Sequence, residues 1–139
     1  MTPEEAVERI NVVLAHAWMV RTFLKHAEEI QDDEEFLEVP RTLFDYCRAV
    51  EPARQRGDAR DYLHRVRGKL PKLRRVAEFF AREHRRVSDH TNYQMAAQSL
   101  SGCVKEIEEV LAALPRPGGA ERTTGPAPPT APASEPGQE

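Results

Sequence analysis

Five histidines and two cysteines are the side chains in this sequence best suited to chemistry. Three of them stand beside carboxylates: His26 precedes Glu28, Glu29, Asp32 and Asp33, His84 follows Glu83, and His90 follows Asp89. Brought to one level of a helical fold, His26, His84 and His90 with these carboxylates could ligate zinc or a pair of iron ions. The local spacing does not supply such a site. Carboxylate-bridged di-iron bundles use Glu-x-x-His on a helix, and no histidine here has a Glu three residues before it. Asp61 stands at that offset from His64, and a His-x-x-x-Glu spacing is absent. The expectation is therefore a protein without a cofactor, with zinc or iron at the His26, His84 and His90 level as the alternative.

Two further patterns carry possible chemistry. Arg85-Arg86-Val87-Ser88-Asp89-His90 contains Arg-x₄-His at a helix boundary. It resembles the motif of HEPN ribonucleases, which are small dimeric helical domains. The resemblance is confined to these six residues, and it would imply RNA-cleaving roles for Arg85 and His90. Ser88 through Asn92 also reads as a helix cap, because Ser, Asp, Thr and Asn satisfy free backbone amides. The second pattern is a basic face made by Arg67, Arg74, Arg75, Arg82, Arg85 and Arg86, which would suit a nucleic-acid or acidic protein partner. Exposed aromatic residues for base stacking are scarce there. The sequence has no Gly-rich phosphate loop, nucleophile elbow, Cys-x-x-Cys or His-Glu-x-x-His.

What would position these groups is a set of helices. Apolar residues recur at three- and four-residue steps in four stretches across residues 3–114, most clearly at Leu63, Val66, Leu70, Leu73, Ala77, Phe80, His84 and Val87. The first helix is expected to start at a Thr2–Glu5 capping box and run to about Gln31. It carries two stripes: Ala6, Ile10, Val13, Ala17, Val20, Leu24 and Ala27 on one side, and Val12, His16, Met19, Phe23, His26 and Ile30 on the other. A second helix, kinked or shortened by Pro40, is expected to end near Val50. A third spans about 58–87 with a bend at Gly68 and Pro71, and a fourth, capped by Ser88 or Asp89, ends at Leu114. The pattern predicts an all-α, four-helix antiparallel up-down-up-down bundle over 1–114. In that arrangement Cys47 and Cys103 fall at one level, near His16.

Residues 115–139 hold seven of the eleven prolines and no Val, Ile, Leu, Met or aromatic residue. That composition predicts a disordered Pro/Gly/Ala-rich C-terminal tail. Charge is polarised: residues 28–51 carry nine acids against two bases, and residues 54–86 carry twelve bases against four acids. The simplest use of that polarity is packing an acidic hairpin beside a basic helix. No apolar run approaches a membrane span, and the N-terminus lacks the pattern of a targeting signal, so a cytoplasmic protein without a membrane partner is expected. The sequence favours a small non-catalytic interaction or scaffold protein. Its second stripe, Val12, His16, Met19, Phe23, His26 and Ile30, is the expected surface for homodimerisation.

Overall fold

A computed structural model describes residues 1–115 as four α-helices, α1 (Pro3–Lys25), α2 (Glu34–Gln55), α3 (Ala59–Glu83) and α4 (Thr91–Ala112), with no strand among the described residues. The expectation of a disordered tail falls, from residue 116 onward, outside the described residues. None of the described helices is long and apolar enough to cross a membrane.

Each helix begins where local chemistry satisfies its first amides. Thr2 and Glu5 form the reciprocal capping box, with the Glu5 amide donating to Thr2 Oγ1 at 3.1 Å and the Thr2 amide to Glu5 Oε1 at 2.8 Å. Asp33 caps α2 and Asp58 caps α3. At the start of α4 the cap is His90, whose Nδ1 accepts the Asn92 amide at 3.0 Å, while Ser88 Oγ accepts the His90 amide. Neither Ser88 nor Asp89 caps the helix; Ser88 instead braces the residue that does.

The helix boundaries correct two expectations. First, α1 stops at Lys25, and a 3₁₀ turn over Glu28–Ile30 carries the chain towards α2. Gln31 Nε2 holds that turn by donating to the carbonyls of Lys25 and Ala27 at 3.0 and 2.7 Å. Second, α2 runs through Pro40 and Pro52 to Gln55 and is as long as α4. One α-helix, α3, continues through Gly68 and Pro71, as the unbroken apolar register requires. Pro71 cannot donate to the Arg67 carbonyl. Beside that site the Val66 carbonyl accepts the Tyr46 hydroxyl at 2.8 Å, which ties α2 to α3 where the helical ladder lacks a donor.

The α2–α3 connection is the tightest. Gly57 has φ +71°, the Gly57 amide donates to the Arg54 carbonyl at 3.0 Å, and the Asp58 amide donates to the Ala53 carbonyl at 2.9 Å. These two bonds form a Schellman cap that uses the left-handed conformation glycine adopts without strain. Cross-helix contacts then fix direction. Phe23 meets Tyr93 and Arg9 meets Glu106, so α1 and α4 are antiparallel. Phe36 meets Phe79 and Tyr46 meets Val66, so α2 and α3 are antiparallel as well. Arg54 against Glu8 and Arg74 against Glu108 complete an up-down-up-down bundle.

Ile10, Phe36, Leu73, Phe80, Leu100 and Ile107 lie at the centre, fully withdrawn from solvent, and Leu70 is also buried. Burial of these side chains is the main stabilising term. Replacing Leu73 with Ala should cost about 2–5 kcal/mol, read by urea denaturation, and a loss under about 1 kcal/mol would contradict this packing. Gly57→Ala should cost about 1 kcal/mol while leaving the helical signal intact.

Candidate functional site

The end of the bundle that gathers the histidines does not assemble a metal site. His26 caps the C-terminus of α1, is exposed, and its Nδ1 lies 3.0 Å from the Thr22 carbonyl. His84 is buried against Phe80, with its Nδ1 left without a partner. His90 is turned to the backbone as a helix cap. Among the described residues no three His, Cys, Asp or Glu side chains are grouped to hold a metal ion. Three of the carboxylates expected there, Asp33, Glu83 and Glu29, are committed elsewhere. Arg86 binds Glu83 at 2.7 Å, Glu35 at 3.4 Å and Asp33 at 3.8 Å, and stacks over Phe36. The hydrogen bond from Arg86 holds Glu83 below the usual carboxylate range. Tyr93 donates to Glu29 at 2.6 Å, which lowers the Glu29 carboxyl in the same way.

The pair expected from the ribonuclease resemblance is present as two exposed side chains, Arg85 in a 3₁₀ turn and His90 at the cap. Accepting the Asn92 amide leaves Nδ1 of His90 unprotonated, so its remaining proton sits on Nε2. The basic face is divided. Arg74 pairs with Glu108, Arg82 with Glu83 and Arg86 with the acidic start of α2. Arg67 is half-buried, whereas Arg75 and Arg85 are exposed and have no carboxylate partner among the described residues.

The surface stripe of α1 is shorter than the sequence suggests. Ile30 lies beyond the end of α1 and is fully buried, so it belongs to the core. Phe23 is half-buried against Tyr93, with ring centroids 5.2 Å apart. Val12 and Met19 remain 60% and 64% exposed, and His16 lies exposed between them. On the antiparallel α4, Met95 is 50% exposed and continues through Ser99 and Gly102. Between the two helices runs a groove of about 510 Å³, floored by Val13 and Cys103, with His16, Ser99 and Gly102 on its sides. Arg9 and Glu106, 3.6 Å apart, close one end.

This face has a signal in the sequence that helical periodicity passes over. Ile10–Val20 and Thr91–Val104 contain no Asp, Glu, Lys or Arg, although 31% of all residues are charged. Val13 beside Cys103 and Phe23 beside Tyr93 set these two uncharged stretches side by side. Depletion of charge at solvent-exposed positions is the compositional mark of an interface core.

Cys47 and Cys103 do sit at one level. The Cys47 thiol donates to the Leu14 carbonyl at 3.8 Å and the Cys103 thiol to the Val13 carbonyl at 3.5 Å, from opposite flanks of α1. Both are free, and burial pushes each thiol up to about 11. Because the folded state disfavours the thiolate, the associated stability is complete below about pH 9 and is lost as pH rises towards about 11. At pH about 8 a thiol-specific disulfide reagent should label the native protein at least about tenfold more slowly than the urea-unfolded chain. Equal rates would contradict the burial of both thiols.

The chain matches no family model, no curated protein and no solved structure.

Proposed function

We propose that this protein is a non-catalytic helical-bundle interaction module that assembles with a second copy of itself through the α1/α4 face. The observation that carries the reading is the juxtaposition of two uncharged helical stretches on a surface that is elsewhere dense in ions. A two-fold contact places a patch against itself. On a face of one charge sign, that arrangement sets like charge against like, which is costly. The α1/α4 face escapes this cost.

Its shape is also self-complementary. Val12 and Met19 form a ridge on α1, while Ser99 and Gly102 leave a trough beside it on α4. An isologous partner can set its ridge into this trough and receive the reciprocal contact. Small residues let helices approach closely enough for such packing. A Cβ at Gly102 would meet nothing within 4 Å in the single chain, so the bundle itself does not exclude an alanine there.

Light scattering should give a mass twice the 15.8 kDa of one chain at micromolar concentrations. Val12→Glu should reduce it to the monomer by burying an unpaired charge. Gly102→Leu is the sharper variant. It should fill the trough and abolish association, yet raise the stability of the monomer by about 1 kcal/mol through helix propensity. A wild-type protein that stays monomeric at high micromolar concentration, or a Gly102→Leu variant that still dimerises, would reject the proposal.

A further inference from the structure

The opposite flank of α1 carries a different kind of surface. There Trp18, Arg21, Phe44 and Arg48 form a continuous stack. The Arg21 guanidinium lies 4.3 Å from the Trp18 ring centroid and 5.1 Å from that of Phe44, and Arg48 lies 5.8 Å from Phe44 on α2. Trp18 and Phe44 are themselves 5.8 Å apart. Stacking fixes a guanidinium by its faces and leaves its in-plane N–H groups free to donate. Neither Arg21 nor Lys25, one turn further along α1, has a carboxylate partner among the described residues.

Of these groups, Arg21, Lys25 and Phe44 line a groove of about 590 Å³ that crosses the outer side of α2, a size ordinary for small-ligand sites. Its charged lining is Arg21, Lys25, Arg41 and Lys72 against Glu38 and Asp45. Arg41 is held by Glu34 at 3.0 Å and by Glu38 at 3.9 Å, and Lys72 lies 3.8 Å from the same Glu38. The free positive charge is therefore concentrated at Arg21 and Lys25. Apolar lining comes from Leu37, Pro40 and Phe44, the last of these 38% exposed. Thr42 also lines the groove; it is 4% exposed, and its hydroxyl is buried with no hydrogen-bond partner.

We infer that this groove binds a small amphipathic oxyanion, in which a carboxylate or phosphate head engages Arg21 and Lys25 and an aromatic or branched apolar body lies over Phe44, Leu37 and Pro40. A pre-oriented guanidinium suits the paired oxygens of either head. The apolar floor selects against a bare inorganic ion. This surface lies on the α2 side of α1, so it remains open whether or not a second copy covers the α1/α4 face.

Trp18 is the single tryptophan of the chain and adjoins the site, so its fluorescence reports binding without labelling. Titration of the full chain with benzoate and with phenyl phosphate should give a saturable change with at least one of them. Benzyl alcohol, which lacks the head, and inorganic phosphate, which lacks the body, should each bind at least about tenfold more weakly, as expected for loss of charge-assisted bonds or of apolar contact. Arg21→Met, which keeps the apolar stem, should weaken binding of the responding probe by about tenfold or more. Lys25→Gln alters an exposed side chain, so it should keep the wild-type helical signal while weakening the same probe by several-fold. Amide shifts of Phe44 in NMR provide a readout independent of Trp18. The inference is overturned if neither acid gives a saturable change, if benzyl alcohol or inorganic phosphate binds as well, or if both variants bind like the wild type.

Discussion

Three residues, Arg56–Asp58, reverse the chain between two helices of more than twenty residues each, and most of the architecture follows from that constraint. A connection so short permits only an antiparallel neighbour. The Gly57 cap ends α2 with both of its characteristic bonds, and the next residue, Asp58, begins α3 by accepting the Asp61 amide. One turn thus sets the register of α2 against α3. Phe36 then falls opposite Phe79 and Phe80, and Tyr46 opposite Val66. With the remaining connections also short, α4 returns beside α1 and the square closes.

Within that square the uneven charge of the chain finds its use. The acidic start of α2 meets the basic end of α3 through Arg86, and Lys72 reaches Glu38 along the same seam. Arg74 to Glu108 and Arg54 to Glu8 bridge the next seams. Exposed ion pairs of this kind contribute little individually. Their larger consequence is for specificity, since they orient each helix against its intended neighbour. They also engage Asp33 and Glu83, two of the carboxylates at the histidine end. The α1/α4 seam likewise has one exposed ion pair, Arg9–Glu106, at one end, with the Tyr93–Glu29 hydrogen bond at the other. Between them lie apolar, small and uncharged polar side chains. The two flanks of α1 therefore differ in chemistry: one is neutral and grooved, the other is cationic and aromatic.

Much of this was legible in the residues themselves. Helical periodicity located the four stripes, and Leu73, Phe80, Leu100 and Ile107 are buried as that periodicity requires, because a stripe of large apolar residues has no alternative in water. The Thr2–Glu5 box was readable because both partners lie within four residues. The common level of Cys47 and Cys103 followed from helical rise alone. Boundaries were less legible. Pro40 weakened the case for a long α2, but tertiary burial of Phe36, Val39, Leu43 and Tyr46 on one face holds the helix through the proline.

What the amino-acid order determined on its own was therefore local or periodic: which segments are helical and which stripes are buried. Tertiary structure decided everything that depends on two segments meeting. It turned Ile30 inward by ending α1 early, spent Glu83, Asp33 and Glu35 on Arg86, and separated His26, His84 and His90 into three unrelated environments. It also laid two uncharged stretches, far apart in sequence, side by side, and set Arg21 against rings from two helices. The physical reason is that periodicity specifies which direction a side chain leaves its own helix. Its partner is specified only when another helix arrives at the same level.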